Sequence, residues 1–160
     1  MQCEPQKEHQ WLQKFLGAWT FESSCSMGPD QPPGKFTGSE KVRPFGDLWI
    51  QCEGQGEMPG GGIGQMLMTL GYDPAKKQYT GTWIGTMMTH LWVYEGQLDP
   101  TGKILTLSAD GPSFTDEKKT AKYQDVIEFK SDDHRVLTSR TQDETGKWNE
   151  FMRGDYRRTK

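Results

Sequence analysis

Along most of this chain, apolar and polar residues alternate with a period of two. Between residues 18 and 28, Trp19, Phe21, Ser23, Cys25 and Met27 oppose Thr20, Glu22, Ser24 and Ser26. Between 120 and 130, Tyr123, Asp125, Ile127 and Phe129 oppose Lys122, Gln124, Val126 and Glu128. Such alternation marks strands with one buried face. Turn residues recur about every ten positions and divide the chain into ten strands: 18–28, 34–44, 47–57, 63–73, 77–86, 89–99, 103–110, 120–130, 133–142 and 147–158. One segment has a different period. In residues 5–16, Trp11, Leu12, Phe15 and Leu16 form a helical stripe, Pro5 suits a first turn and Gly17 stops the helix.

The connections sort onto two ends. Those at 43–47, 73–77, 99–103 and 131–134 are tight, whereas those at 28–34, 57–62, 85–89 and 110–120 are long or slack, and only 143–147 is short on that side. Short turns without intervening helices make successive strands antiparallel neighbours. Ten meandering strands leave two unpaired edges unless the sheet closes, and closure removes them. The expected fold is all-β: a ten-stranded antiparallel up-and-down barrel forming a single domain over 1–160, with the helix at 5–16 closing one end and the barrel at 17–158. A barrel of ten strands is wider than side chains alone fill, so an internal cavity follows.

Bulk properties exclude several functions. The 160-residue chain carries a net charge of −3, and its basic residues are scattered apart from the Arg153–Arg158 segment, which reads as a solvated strand face. No nucleic-acid partner is expected, because phosphate binding needs a clustered basic surface. The mean hydropathy of −0.84 is low, yet six tryptophans and 19 glycines account for much of it, and each Trp buries a large area. No apolar run reaches the length of about 18 residues that spanning needs, so no membrane insertion is expected. Nor does the N-terminus have the apolar stretch of a signal peptide. Cys3, Cys25 and Cys52 are odd in number and match no metal spacing, which points to free thiols, a cytoplasmic location and no metal site.

The hairpin around Met87-Met88 is the most readable part of the wall. If these two residues form the turn, Trp83 pairs with Trp92, and one face carries Gly81, Trp83, Gly85, His90, Trp92 and Tyr94. The opposite face carries Thr82, Ile84, Leu91, Val93 and Glu95. With the aromatic face inward, the candidate ligand contacts are Trp83, His90, Trp92, Tyr94, Met66, Met68, Tyr123 and Met152. Trp19, Phe21, Tyr72, Asp125, Glu150 and Tyr156 share that parity, with Trp19 read as a core plug. An acid such as Asp125 on an apolar face must be paired or hydrogen-bonded; an internal pair with Arg140 and a ligand contact are both open. The candidate mouth is Met58, Gly60, Gly61, Gly62, Met87, Met88 and Phe114. The glycine loop precedes a strand and lacks the Lys-Ser/Thr of a phosphate loop.

No nucleophile elbow, zinc-protease helix or Cys-x-x-Cys motif is present. The catalytic candidates are therefore isolated groups, His90 with Asp125 or Glu150, as a proton-moving pair of the kind an isomerase or hydratase uses. No cofactor is expected, with haem held through His90 as the alternative.

Several motifs together resemble a bacterial family, domain of unknown function 1579: His9-Gln10-Trp11-Leu12, Gly17-Ala18-Trp19-Thr20, Glu57-Met58-Pro59-Gly60-Gly61, Met68-Thr69-Leu70-Gly71-Tyr72-Asp73-Pro74, Gly81-Thr82-Trp83-Ile84-Gly85, Met87-Met88-Thr89-His90-Leu91-Trp92 and Gly111-Pro112-Ser113-Phe114. The family supplies no activity and no catalytic residues. More distantly, a helix followed by Gly17-x-Trp19 is similar to the start of the calycins, the lipocalins and fatty-acid-binding proteins, in which the motif seals the closed end. Nitrobindins, haem-binding barrels, are a further comparison, but their longer glycine-rich signature is not evident here. The resulting expectation is a soluble barrel holding a small apolar or amphipathic molecule. An enzyme of the His90 type and a non-catalytic interaction module with a packed interior, dimerising through a strand face, are the alternatives.

Overall fold

The computed structural model describes residues 3–26 and 30–159. Its strands are β1 (Gly17–Cys25), β2 (Gly34–Phe45), β3 (Trp49–Glu57), β4 (Ile63–Asp73), β5 (Gln78–Gly85), β6 (Trp92–Leu98), β7 (Ile104–Pro112), β8 (Thr120–Ser131), β9 (His134–Gln142) and β10 (Trp148–Thr159). Each pairs antiparallel with its sequence neighbours, and β1 pairs with β10 to close the barrel. The closing register sets Phe21 opposite Tyr156 and Ser23 opposite Gly154. The expected all-β ten-stranded barrel with one short helix is the observed fold. Met27 and the start of the 28–34 loop lie outside the described residues.

Two local departures have physical causes. The helical segment is not one helix but α1 (Lys7–Trp11) followed by a 3₁₀ turn over Leu12–Phe15. The tighter winding still buries Leu12 and Phe15. The chain between Thr86 and Leu91 is irregular, so β6 begins at Trp92 rather than at residue 89. Trp83 does face Trp92 as expected, but the Thr86 N–H donates to the Gln65 carbonyl at 2.9 Å instead of pairing across the hairpin.

The helix stands at the tight-turn end and is fixed there by polar contacts. The Trp11 indole N–H donates to the Gly102 carbonyl at 2.7 Å, and the Tyr79 hydroxyl donates to the Glu8 carbonyl at 3.0 Å. Buried His9 accepts the Gln6 N–H on Nδ1 at 2.9 Å, which leaves Nε2 to donate to the Tyr72 carbonyl at 3.1 Å. Below these contacts the interior is solid. Phe15, Leu12, Trp19, Leu70, Leu105 and Ile127 are all essentially inaccessible.

Within this packed half lies a buried ion pair. Arg135 of β9, with a side chain only 2% exposed, donates to Glu40 of β2. Its guanidinium carbon lies 4.7 Å from the Trp19 ring centre, 5.1 Å from that of Phe15 and 4.2 Å from that of Tyr156. Stacking on rings lets the flat cation be buried where hydrogen-bond acceptors are few. Removing one partner of such a pair strands the other charge, which costs about 3–5 kcal/mol. We therefore expect Arg135→Met to lower the unfolding free energy in urea by about this amount. The double variant Glu40→Gln with Arg135→Met should lose clearly less. Equal losses in the two would show that Glu40 is not stranded.

Candidate functional site

At the opposite end the interior is hollow. A cavity of about 220 Å³ opens among the upper residues of the inner wall. Its sides are Trp83, Trp92, Met66, Met152, Phe36 and Leu137, and its floor brings together Tyr94, Asp125, Ser139, Ser23, Phe21 and Tyr156. Period-two strands carry all of these inward, except where the ladder is broken. The glycines beside the aromatic rings serve close packing. A Cβ on Gly111 would overlap the Trp92 ring, and one on Gly85 would lie 2.6 Å from Trp83. At Gly81 the space is instead occupied by the neighbouring strand, where a Cβ would collide with the Thr69 carbonyl.

The mouth is built from methionines and a glycine loop. Met58, Met87 and Met88 line the cavity from above. Met58 and Met87 both reach over Gly64, where they fill the space that a Cβ would need. The Trp92 indole N–H donates to the Met88 sulfur at 3.1 Å. Gly61 and Gly62 adopt positive φ of 95° and 80°, and nothing approaches the Cβ positions of Gly60, Gly61 or Gly62. Phe114 does not line the cavity but sits on the rim. It is 68% exposed, with its ring edge-on to Tyr123 at 5.6 Å and to Phe151 at 5.0 Å.

The other candidates named from the sequence fall as follows. Trp83, Trp92, Tyr94, Met66, Tyr123 and Met152 line the cavity together. Met68 points the same way but lower, packed against the filled core. His90 does not reach the interior. It lies in the irregular stretch before β6, where the alternation has lapsed, and its Nε2 is 3.0 Å from the Asp110 carbonyl in an outer groove with Leu91, Glu95 and Lys122. Placed there, it offers no axial ligand to a haem inside the barrel. Glu150 is exposed, because a bulge between Glu150 and Met152 resets the β10 register. Hence His90, Asp125 and Glu150 are not brought together. Arg140 does not pair with Asp125 either, since it donates to Gln124 at 2.8 Å on the outer face. Among the described residues no cluster of His, Cys, Asp and Glu suits a metal ion.

Ser139, Ser23, Leu107 and Ala109 line the cavity without having stood among the candidates for ligand contact. Leu105, Leu107 and Ala109 alternate with Thr106, Ser108 and Asp110, so that signal was present. Ser139 shares its inward face with Arg135, and a charge on that face masked the pattern.

Asp125 is the chemically distinctive member. Its Oδ2 accepts the Tyr94 hydroxyl at 2.5 Å and its Oδ1 accepts the Ser139 hydroxyl at 2.6 Å. Burial pushes the carboxyl above the usual carboxylate range, and the two hydrogen bonds only partly oppose this. The same burial, reinforced by the Asp125 charge, holds the Tyr94 phenol well above its ordinary value. A raised carboxyl stabilises the fold fully below its unfolded value and loses that contribution as pH rises through the folded one. Asp125→Asn cannot ionise. Its thermal midpoint, compared with that of the native chain, should therefore gain progressively as pH rises from about 4, the unfolded Asp range, towards neutrality. A difference independent of pH would show that Asp125 ionises as freely in the fold as in the unfolded chain.

Comparison with known proteins places this architecture. No curated protein matches the sequence significantly. Among solved structures, the crystal structure of Rv2717c from M. tuberculosis is similar with a TM-score of 0.67 at 12% identity, covering 98% of this chain and 100% of that one. A redesigned β-barrel, mFAP0, bound to DFHBI has a TM-score of 0.51 at 14% identity, covering 91% and 100%. The protein EF1p2_mFAP2b bound to DFHBI has a TM-score of 0.52 at 12% identity, covering 95% and 99%. At these identities the likeness is one of fold. No helix of the described residues is long and apolar enough to cross a membrane. The family model described as "Protein of unknown function (DUF1579)" matches residues 4–158, and the chain belongs to that family.

Proposed function

We propose that this barrel is a binding protein for a compact apolar or amphipathic molecule held in the interior cavity. The observation that carries the reading is the cavity itself. It is walled by aromatic and methionine side chains, closed below by a packed core, and given one small polar group of side chains at its floor. That combination is what a small-molecule site requires: apolar enclosure for affinity and few polar groups for orientation. At about 220 Å³ it is smaller than the roughly 300–1,000 Å³ of drug-sized sites, which favours a ligand of one or two rings. Two barrels of similar fold hold DFHBI, which supports the capacity of such a fold to take a small molecule. The isomerase or hydratase alternative required His90 and a carboxylate in one cavity, and the position of His90 in an outer groove favours binding over that chemistry. An interaction module with a filled interior is disfavoured by the void.

Titration with an environment-sensitive hydrophobic dye tests the reading. The native chain should bind and enhance emission. Ala109→Leu places extra methyl groups in the void and should weaken binding roughly tenfold or more, with a stability change inside the roughly 1–3 kcal/mol typical of overpacking. Absence of binding by the native chain, or binding unaffected by Ala109→Leu, would remove the interior as the site.

The mouth should govern rates. Loops with few buried contacts open at little free-energy cost. Deleting Gly61 and Gly62 should change dye entry and release in stopped flow while shifting the urea midpoint little. A large stability loss with unchanged rates would mean that the loop is a structural brace.

A further inference from the structure

We propose that the ligand carries a protonated amine, bound by the Asp125 carboxylate at the cavity floor. This deepens the binding reading and rests on it. The first support is charge. Among the described residues, Asp125 is the sole acid lining the cavity, and no Lys, Arg or His lines it. The nearby buried cation, Arg135, is already committed to Glu40. Asp125 is half-buried at the cavity floor, and a carboxylate so withdrawn from water without a cation is costly; a cationic ligand supplies the missing charge.

Hydrogen-bond geometry is the second support. Tyr94 and Ser139 both donate to Asp125, one to each carboxylate oxygen. Each carboxylate oxygen accepts further bonds, so the group still has acceptor capacity towards the cavity. Burial raises the Asp125 pKa and a cation beside it lowers it again, so an incoming ammonium and the ionised carboxylate stabilise one another. The third support is the surrounding wall. Trp83, Trp92 and Tyr156 present aromatic rings to the same space, and aromatic faces attract cations once water is excluded. An ammonium satisfies the carboxylate and the rings together, whereas an alcohol satisfies only the hydrogen bond.

Three probes of matched shape test this: 1-naphthylmethylamine, 1-naphthylmethanol and 1-naphthoic acid, titrated calorimetrically into the intact protein at neutral pH. The amine should bind roughly tenfold to a hundredfold tighter than the alcohol, the range for a hydrogen bond made to a charged group, and the acid should not bind. In Asp125→Asn the amine should fall to the level of the alcohol while the alcohol is unchanged. Equal binding of amine and alcohol by the native chain, or a preference that survives Asp125→Asn, overturns the amine assignment and leaves the container reading standing. Failure of all three probes overturns both.

A second measurement uses the native chain alone. Lowering the pH protonates Asp125, so the amine preference should disappear on the acid side. The other ionisable groups around Asp125 are Tyr94 on β6, Tyr123 on β8 and Tyr156 on β10, with Arg135 beyond the Tyr156 ring, and burial keeps all three phenols neutral there. An amine preference independent of pH would overturn the proposal even if the Asn variant does not fold.

Discussion

The barrel is organised around one indole on which two guanidinium groups converge. Trp19 has the Arg135 guanidinium 4.7 Å from its ring centre and that of Arg158 at 4.3 Å, and its own N–H donates to the Phe15 carbonyl at 2.8 Å. Arg158 also donates to the Leu16 and Lys14 carbonyls beyond the helix and to the Asp132 carbonyl in the β8–β9 turn. One ring thereby connects the helical plug, the first strand, the last strand and a turn. The orphan carbonyls at the end of the helical segment are satisfied by a cation, which also complements the local dipole. Gly17 is part of the same arrangement. It adopts φ of 124°, and a Cβ there would lie 2.6 Å from an Arg158 nitrogen.

This anchored end explains how the other end is left hollow. The inner faces of ten strands enclose more volume than their side chains occupy. Here the surplus is not spread evenly. The helical plug adds Leu12 and Phe15 to the tight-turn end, so the packing there is complete, and the void gathers at the slack end. Methionines at that end are fitting neighbours for a void, since their unbranched chains change shape at little cost. Rigidity and adaptability are thus divided along the barrel axis, and the polar group around Asp125 sits at the boundary between them.

Most of this architecture is legible in the sequence because the governing signals are local. Period-two alternation and turn residues define the ten strands, their pairing and the sorting of loops to two ends, and the Trp83–Trp92 register follows from the same parity. Parity also places Tyr94, Asp125, Tyr123 and Met152 on the inner wall. It fails where the ladder is irregular. The stretch Thr86–Leu91 carries His90 out of phase, and the bulge near Phe151 turns Glu150 outward while Phe151 packs against Tyr123. Partners across the seam are not legible, because nothing local says that Arg135 of β9 meets Glu40 of β2. Such pairs are properties of closure, and a charged residue on an inward face looks like an error of pattern until its distant partner is known.

Closure has a consequence for how the molecule comes into being. The seam joins β1 to β10, so Phe21 finds Tyr156 and Trp19 finds Arg158 only when the final strand exists. In a chain emerging from its N-terminus, β1 and its aromatic plug wait until all the strands up to β10 have followed. The meander β2 to β9 assembles by short-range pairing, but the last contact is between the two ends, the most costly kind of loop to close. Until then the nascent sheet has two open edges and an uncovered row of rings. The stage most exposed to aggregation or to chaperone capture is thus the interval just before the final strand arrives.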